Sequence, residues 1–516
     1  MDLLLLSRLQ FAFTSFFHFV FVPLTIGLSL FIAIIKTINL KKQDPRIDSI
    51  ARFLMKVFAV NFAAGVASGL TQEFEFGTNW FDYSKFVGDI FGAPLAIEGL
   101  MAFFLESTFM GLFLFGEKKI SRGMHTFAAW MVALGTTLSA LWILIANSWM
   151  QTPAGFKIVE TEQGIKAVLT DFFEAALNHT TIFRFLHTVD GGYITGGLFA
   201  MGVFAYFILK NRHVEASKIG FKYALIFTAI TSTLQIIIGD IHGYQVAHHQ
   251  PLKMAMYEGV WETEKGAPLV LLGVVDQEKQ QTQAYIKIPY LLSILSHHDP
   301  YAEFKGIKDL VKEYQEKAQA YKQKAAELEA QLATAPADQQ EKVKEELAFA
   351  KAQAKALDVS FKDLPPVGLV FTSFHLMVYL GFFFAFFSLV GLYLLKKNKI
   401  FENKAYLWAS ILSIPLPFLA ANLGWISTEV GRQPWIVQGI LQTKDAVTLH
   451  PPANVALTLA VFFVIYTSIF VAFLVSMIKV IKKGLDEKET ASEYGYGSAT
   501  PSATPNATFF SKTNKE

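Results

Sequence analysis

No cysteine occurs among the 516 residues of the chain. Disulfides, thiolate-held haem and cysteine-bound iron–sulfur clusters are therefore excluded within it, and any metal must be held by His, Met or carboxylate. Charge is scarce too: Asp, Glu, Lys and Arg make up 17% of residues, and the formal net charge is +2. No basic cluster is interleaved with aromatics, which argues against a nucleic-acid partner. Internal repeats are lacking. No small-residue cleavage site follows the first apolar run, so that run reads as a retained span rather than a signal peptide. What is abundant is apolar. Hydrophobic residues make up 53% of the chain, with 49 Phe, the composition of an integral membrane protein.

Nine stretches are long and apolar enough to cross a bilayer, which predicts an all-α multi-span fold. They run roughly over Leu9–Ile35, Phe53–Leu70, Phe91–Gly116, His125–Met150, Ile182–Leu209, Gly220–Gly239, Val367–Leu395, Ala405–Thr428 and Val455–Ile478. Lys and Arg concentrate in the loops after spans one, three, five and seven (Lys41, Lys42 and Arg46; Lys118, Lys119 and Arg122; Lys210 and Arg212; Lys396 and Lys397) and in the tail at Lys482 and Lys483. Those loops are expected inside, with the N-terminus outside and the C-terminus inside. The expected organisation is spans one to six in 1–239, a large outer-face loop in 240–366, spans seven to nine in 367–482, and a cytoplasmic tail in 483–516. The loop's second half, rich in Ala, Glu, Lys and Gln and broken at Thr334-Ala335-Pro336, predicts a helical hairpin that serves equally well as a lid or spacer. The Ser/Thr/Ala/Pro-rich tail from about Glu487 predicts disorder.

Within the third span stand Glu98 and Glu106. A carboxyl at mid-bilayer costs about 2.5–3.5 kcal/mol by insertion scales, so it persists only with a partner, a proton or a function. On a continuous α-helix the two lie close to one face, about 12 Å apart along the axis. His18, His187, Met377, Glu429 and Glu98 all fall in the outer half of the membrane. A shared depth is unexpected of residues kept for packing alone. A His and a Met on different helices can hold a low-spin haem on both faces, while a lone His or carboxylate can leave a position open. His375 is two residues from Met377, about 200° around the helix, so the two cannot face one iron. Arg184, Asp190 and Arg432 can pair with haem propionates or with nearby acids. A proton-coupled secondary transporter, or a haem-bearing membrane anchor of a dehydrogenase, also uses buried ionisable groups in this way.

Several segments carry a more specific signal: Ser7-Arg8-Leu9-Gln10-Phe11, Gly77-Thr78-Asn79-Trp80, Gly88-Asp89-Ile90-Phe91-Gly92-Ala93-Pro94-Leu95-Ala96-Ile97-Glu98-Gly99, Phe104-Leu105-Glu106-Ser107-Thr108, Ala140-Leu141-Trp142-Ile143-Leu144, Gly239-Asp240 and Gly431-Arg432-Gln433-Pro434-Trp435. Together they resemble subunit I of the cytochrome bd quinol oxidases, in the form with a long quinol loop, over nearly the whole chain up to about residue 480. The resemblance implies a complex of the bacterial inner membrane that oxidises quinol (ubiquinol or menaquinol) and reduces dioxygen to water. It implies two haem b and one haem d, the third being d or b. The implied partners are subunit II and a small single-span accessory subunit.

By the same resemblance His187 and Met377 match the axial pair of the low-spin haem, and His18 and Glu429 match ligands of the two high-spin haems. Glu98 matches the carboxylate of the oxygen site and Glu106 a proton-conducting carboxylate. Lys253 and Glu258 match residues of quinol oxidation, to which Asp240 is added. Arg432, Trp425 and His375 are expected against a cofactor, although the family often has Arg at the position of His375. Quinol oxidation outside with proton uptake from inside would separate charge without a pump. Ser139 and Asn147 on span four are expected to extend the proton path from Glu106.

Overall fold

The computed structural model describes residues 2–162 and 164–486. Among these, nine helices are long and apolar enough to cross a membrane: Leu3–Lys42, Pro45–Phe76, Phe81–Phe115, Arg122–Gln151, Thr181–Leu209, Val214–His249, Val367–Lys396, Lys404–Val430 and Pro452–Lys483. Numbered in chain order as spans one to nine, each overlaps one predicted stretch. The chain is an all-α, multi-span membrane protein. The segment from about Glu487, expected to be disordered, lies outside the described residues.

Local signals set the helix ends. Asp2, Asp44 and Ser121 each accept a hydrogen bond from a first-turn N–H, at spans one, two and four. Pro45 occupies the first turn of span two, where its missing N–H costs nothing. Span eight is not one continuous helix. It breaks into Lys404–Leu412 and Leu416–Val430 around Pro415 and Pro417, because proline removes a donor and clashes with the preceding turn. Span six runs on to His249 instead of ending at Gly239, so Asp240 is an exposed residue of that helix and not the start of the loop.

Tight packing fixes spans one and five. A Cβ on Gly27 would lie 2.1 Å from the Gly192 carbonyl oxygen, and one on Gly196 would lie 2.4 Å from the Gly27 carbonyl carbon. Gly192 and Gly196 are one helical turn apart, so the two backbones touch with no side chain between them. Any larger residue there would force apart the helices that carry His18 and His187. Ser29 and Thr136, 3.0 Å apart, link spans one and four. Asn61 of span two donates to the Phe21 carbonyl at 2.8 Å.

Between spans six and seven lies a helix Pro251–Glu258, an antiparallel strand pair Leu269–Asp276 and Gln281–Ile288, a helix Leu291–His297, and two helices Ile307–Thr334 and Ala337–Ala356 that pack antiparallel. The first helix is bounded by Pro251 at its start and by Gly259, at φ 64°, just past its end. The antiparallel pair docks on the segment after span eight. The Trp435 indole, 1% exposed, donates to the Ala356 carbonyl at 2.7 Å, and the Gln442 amide donates to the same oxygen at 3.0 Å.

Candidate functional site

At the end of the bundle that carries the insertion, a chain of polar side chains surrounds Glu429. Asn147 and Gln151, one turn apart on span four, donate to its Oε1 at 3.0 and 3.1 Å, and the Arg432 guanidinium pairs with its Oε2. Arg184 of span five reaches Asn147 Oδ1 at 3.4 Å. From the insertion, Lys253 Nζ donates to Gln151 Oε1 and, at 2.9 Å, to Gln250 Oε1. One glutamine side chain therefore separates Lys253 from Glu429. Lys253 is 2% exposed. Burial pushes its ammonium well below the usual lysine range, Arg184 and Arg432 push the same way, and Glu429 opposes them.

Glu258 faces elsewhere. Five residues along one regular helix turn it about 140° from Lys253, and the two meet different elements. Glu258 is 3% exposed, its Oε2 has no hydrogen-bond partner, and burial pushes its carboxyl up to about 8. His375 Nε2 of span seven lies 3.8 Å from that oxygen. The His375 nitrogens are each 2.9 Å from a backbone carbonyl, those of Phe371 and Val270. A neutral ring can donate to only one of the two. His375 is thus turned toward the insertion, whereas Met377 faces span eight, where a Cβ on Gly424 would lie 2.9 Å from its sulfur.

His18 is oriented by its neighbour. Its Nδ1 is 2.9 Å from Ser68 Oγ, whose own proton goes to the Gly65 carbonyl at 2.8 Å. Ser68 must therefore accept from Nδ1–H, which leaves the Nε2 lone pair free for a metal. Phe19, next in sequence, packs on Trp425 with ring centroids 4.6 Å apart. His187 of span five lies beside span six, with its Cε1 3.7 Å from where a Gly239 Cβ would stand. Its ring centre is 5.1 Å from that of His242.

The carboxylates of span three do not sit on one regular helix. Residues Glu98–Phe103 form a π-helical turn, close after Pro94 removes a backbone donor. Eight residues of α-helix would separate Glu98 and Glu106 by about 80°, and the wider turn reduces that angle. Glu98 accepts from Ser139 at 2.7 Å. Glu106, 6% exposed, packs its Cγ against Gly135, one turn earlier on span four, 2.6 Å from where a Cβ would stand. Span four thus meets Glu106 at Gly135, Glu98 at Ser139, and Glu429 at Asn147 and Gln151. Ser139 and Asn147 lie on the Glu429 side of Glu106, and they donate to Glu98 and Glu429 in turn.

Several buried donors in this region lack acceptors: Nε of Arg8, Arg184 and Arg432, a second Arg432 nitrogen, and the Tyr83 hydroxyl. His187 Nδ1 is likewise unpaired. Unpaired buried donors are costly, and this set suits the carboxylates of an anionic group such as haem propionates. With the free Nε2 of His18 and the thioether of Met377, the donor set fits haem. Gln151 and Gln250, central to the chain of amides, carry no spacing signal in the sequence.

The family model described as "Cytochrome bd terminal oxidase subunit I" matches residues 6–485. The chain is 38% identical to cytochrome bd-II ubiquinol oxidase subunit 1 of Escherichia coli K12, across 94% of this chain and 97% of that one. It is 37% identical to cytochrome bd ubiquinol oxidase subunit 1 of Bacillus subtilis 168, across 94% and 95%. Among solved structures, the bd oxidase of Geobacillus thermodenitrificans superposes with a TM-score of 0.78 at 26% identity, covering 93% of this chain and 99% of that one.

Proposed function

The chain belongs to the cytochrome bd terminal oxidase subunit I family, which are terminal quinol oxidases, and from that premise we propose how its residues divide the reaction. Quinol is oxidised at the insertion end, which faces outward, and dioxygen is reduced to water within the bundle. Haems, two of b type and a third of b or d type, carry the electrons between the two half-reactions when bound. His187 and Met377 hold the low-spin haem, His18 and Glu429 the high-spin pair, and Glu98 stands at the oxygen site. Arg8, Arg184 and Arg432 neutralise propionates. Subunit II and a small single-span subunit complete the assembly in the bacterial inner membrane.

The observation that carries this reading is the chain from Lys253 through Gln151 to Glu429, which ties the quinol segment to an intramembrane carboxylate. Lys253, held toward its neutral form, orients the quinol hydroxyl, and the Glu258 carboxylate accepts a proton for release outside. Protons for water enter from the opposite end through Glu106 and pass to Glu98. Uptake inside and release outside then separate charge. The test is a reduced-minus-oxidised spectrum of the purified complex, with and without carbon monoxide, alongside quinol-driven oxygen consumption. A high-spin component shifted by the gas is expected. Haem that ignores the gas would point to an electron-transfer anchor, and a haem-free protein to a carrier.

A pH dependence arises at Glu258. With its carboxyl near 8, the accepting carboxylate is the minority form at neutral pH and grows as pH rises. Quinol-supported respiration should therefore increase with external pH, reach half its maximum near 8, and level off about a unit above that. Glu258→Gln should remove that limb and slow turnover while leaving the haem spectra unchanged. A variant that keeps the limb would assign it to another group.

A further inference from the structure

Apart from these groups, the insertion end carries histidines that play no part in the proposed reaction. His248 lies at the exposed end of span six, and His297 ends the helix Leu291–His297 of the insertion. Their ring centroids are 5.5 Å apart. At a metal–nitrogen distance of about 2.0–2.1 Å, two imidazoles on one ion hold their centroids roughly 5–6 Å apart. The remaining nitrogens are already used in the manner of metal-bound histidines. His248 Nδ1 is 2.9 Å from the Tyr244 carbonyl, and His297 Nδ1 is 2.8 Å from Ser296 Oγ. The carbonyl can only accept, so it fixes the His248 proton on Nδ1 and leaves the Nε2 lone pair available. Ser296 Oγ gives its own proton to the Leu292 carbonyl, so it accepts from His297 Nδ1–H and leaves the Nε2 lone pair of that ring available as well.

We propose that His248 and His297 form a binding site for a borderline divalent transition ion, zinc or copper, which ties the helix Leu291–His297 to the end of span six. Among the described residues no three His, Cys, Asp or Glu side chains converge on one point. The pair therefore supplies two ligands and water the rest, which implies an exchangeable ion rather than a permanent structural one. His298 serves as the control: its ring and that of His248 both pack on Tyr244, with centroids 4.5 and 4.1 Å away, but the ring that stands across from His248 at metal-sharing distance is that of His297.

The test uses the intact haem-loaded complex, washed with chelator and titrated with Zn²⁺ against a competing indicator. His248→Gln and His297→Gln should each weaken one site about tenfold or more, with unchanged haem spectra. His298→Gln should leave that site intact. Loss in neither variant, loss in only one of them, or equal loss in His298→Gln would overturn the proposal. Cu²⁺ bound to the wild-type complex should show hyperfine coupling to two imidazole nitrogens, and coupling to none or one would overturn it independently of any variant.

Discussion

Replacing Glu106 with Leu is expected to reduce oxygen consumption to background while the protein still inserts and still binds high-spin haem. The side chain is buried, and its Cγ rests on the bare backbone of Gly135. Removing a carboxyl from mid-bilayer relieves an insertion cost of about 2.5–3.5 kcal/mol, so stability should hold or improve. Activity should not, because each electron delivered to dioxygen needs a proton and Leu cannot exchange one. Leu branches where Glu106 touches Gly135, so Glu106→Gln, nearly the same shape, is the paired variant and should be equally inactive. Glu98 should fail differently. Glu98→Leu leaves the Ser139 hydroxyl unpaired and should alter the spectrum and gas binding of the oxygen site directly. If Glu106→Gln respired at the wild-type rate, Glu106 would be a packing residue.

The second large effect is expected from Met377→Leu, which keeps volume and helix propensity but removes the thioether. The low-spin haem signal and quinol oxidation should both disappear. Retention of that signal with full activity would show that Met377 is not a ligand. His375→Arg is the informative companion. Arginine carries five N–H donors, enough for the Phe371 and Val270 carbonyls and for Glu258 together, where histidine can serve only part of that set. Ligation should survive this change, and the low-spin potential should shift.

These effects depend on features of unequal legibility in the sequence. The nine spans are readable because each is a long apolar run, and one-dimensional hydropathy reports that directly. Span ends are less so: hydropathy predicts span two over Phe53–Leu70, but the helix continues through Asp48 and Glu75, and span six continues through Asp240 and His242. Helix geometry persists where hydropathy has already fallen. The turn at Glu98–Phe103 depends on which carbonyl each N–H selects, and no residue pattern announces it. Spans three and four run antiparallel, so rising numbers on one meet falling numbers on the other. That pairing of Glu98 with Ser139 and Glu106 with Gly135 is implicit in the topology alone. The amides Gln151 and Gln250 converge from 99 residues apart, and only the folded bundle brings them together.

The decisive measurement is proton uptake during a single oxygen pulse given to the fully reduced complex in liposomes, with a pH dye confined to one compartment at a time. Wild type should take up protons only from the compartment that faces the Lys- and Arg-rich loops, opposite the insertion, and Glu106→Gln should take up none from that side within the wild-type turnover time. Uptake from the insertion side, or wild-type uptake in the Gln variant, would contradict charge separation by a path through Glu106.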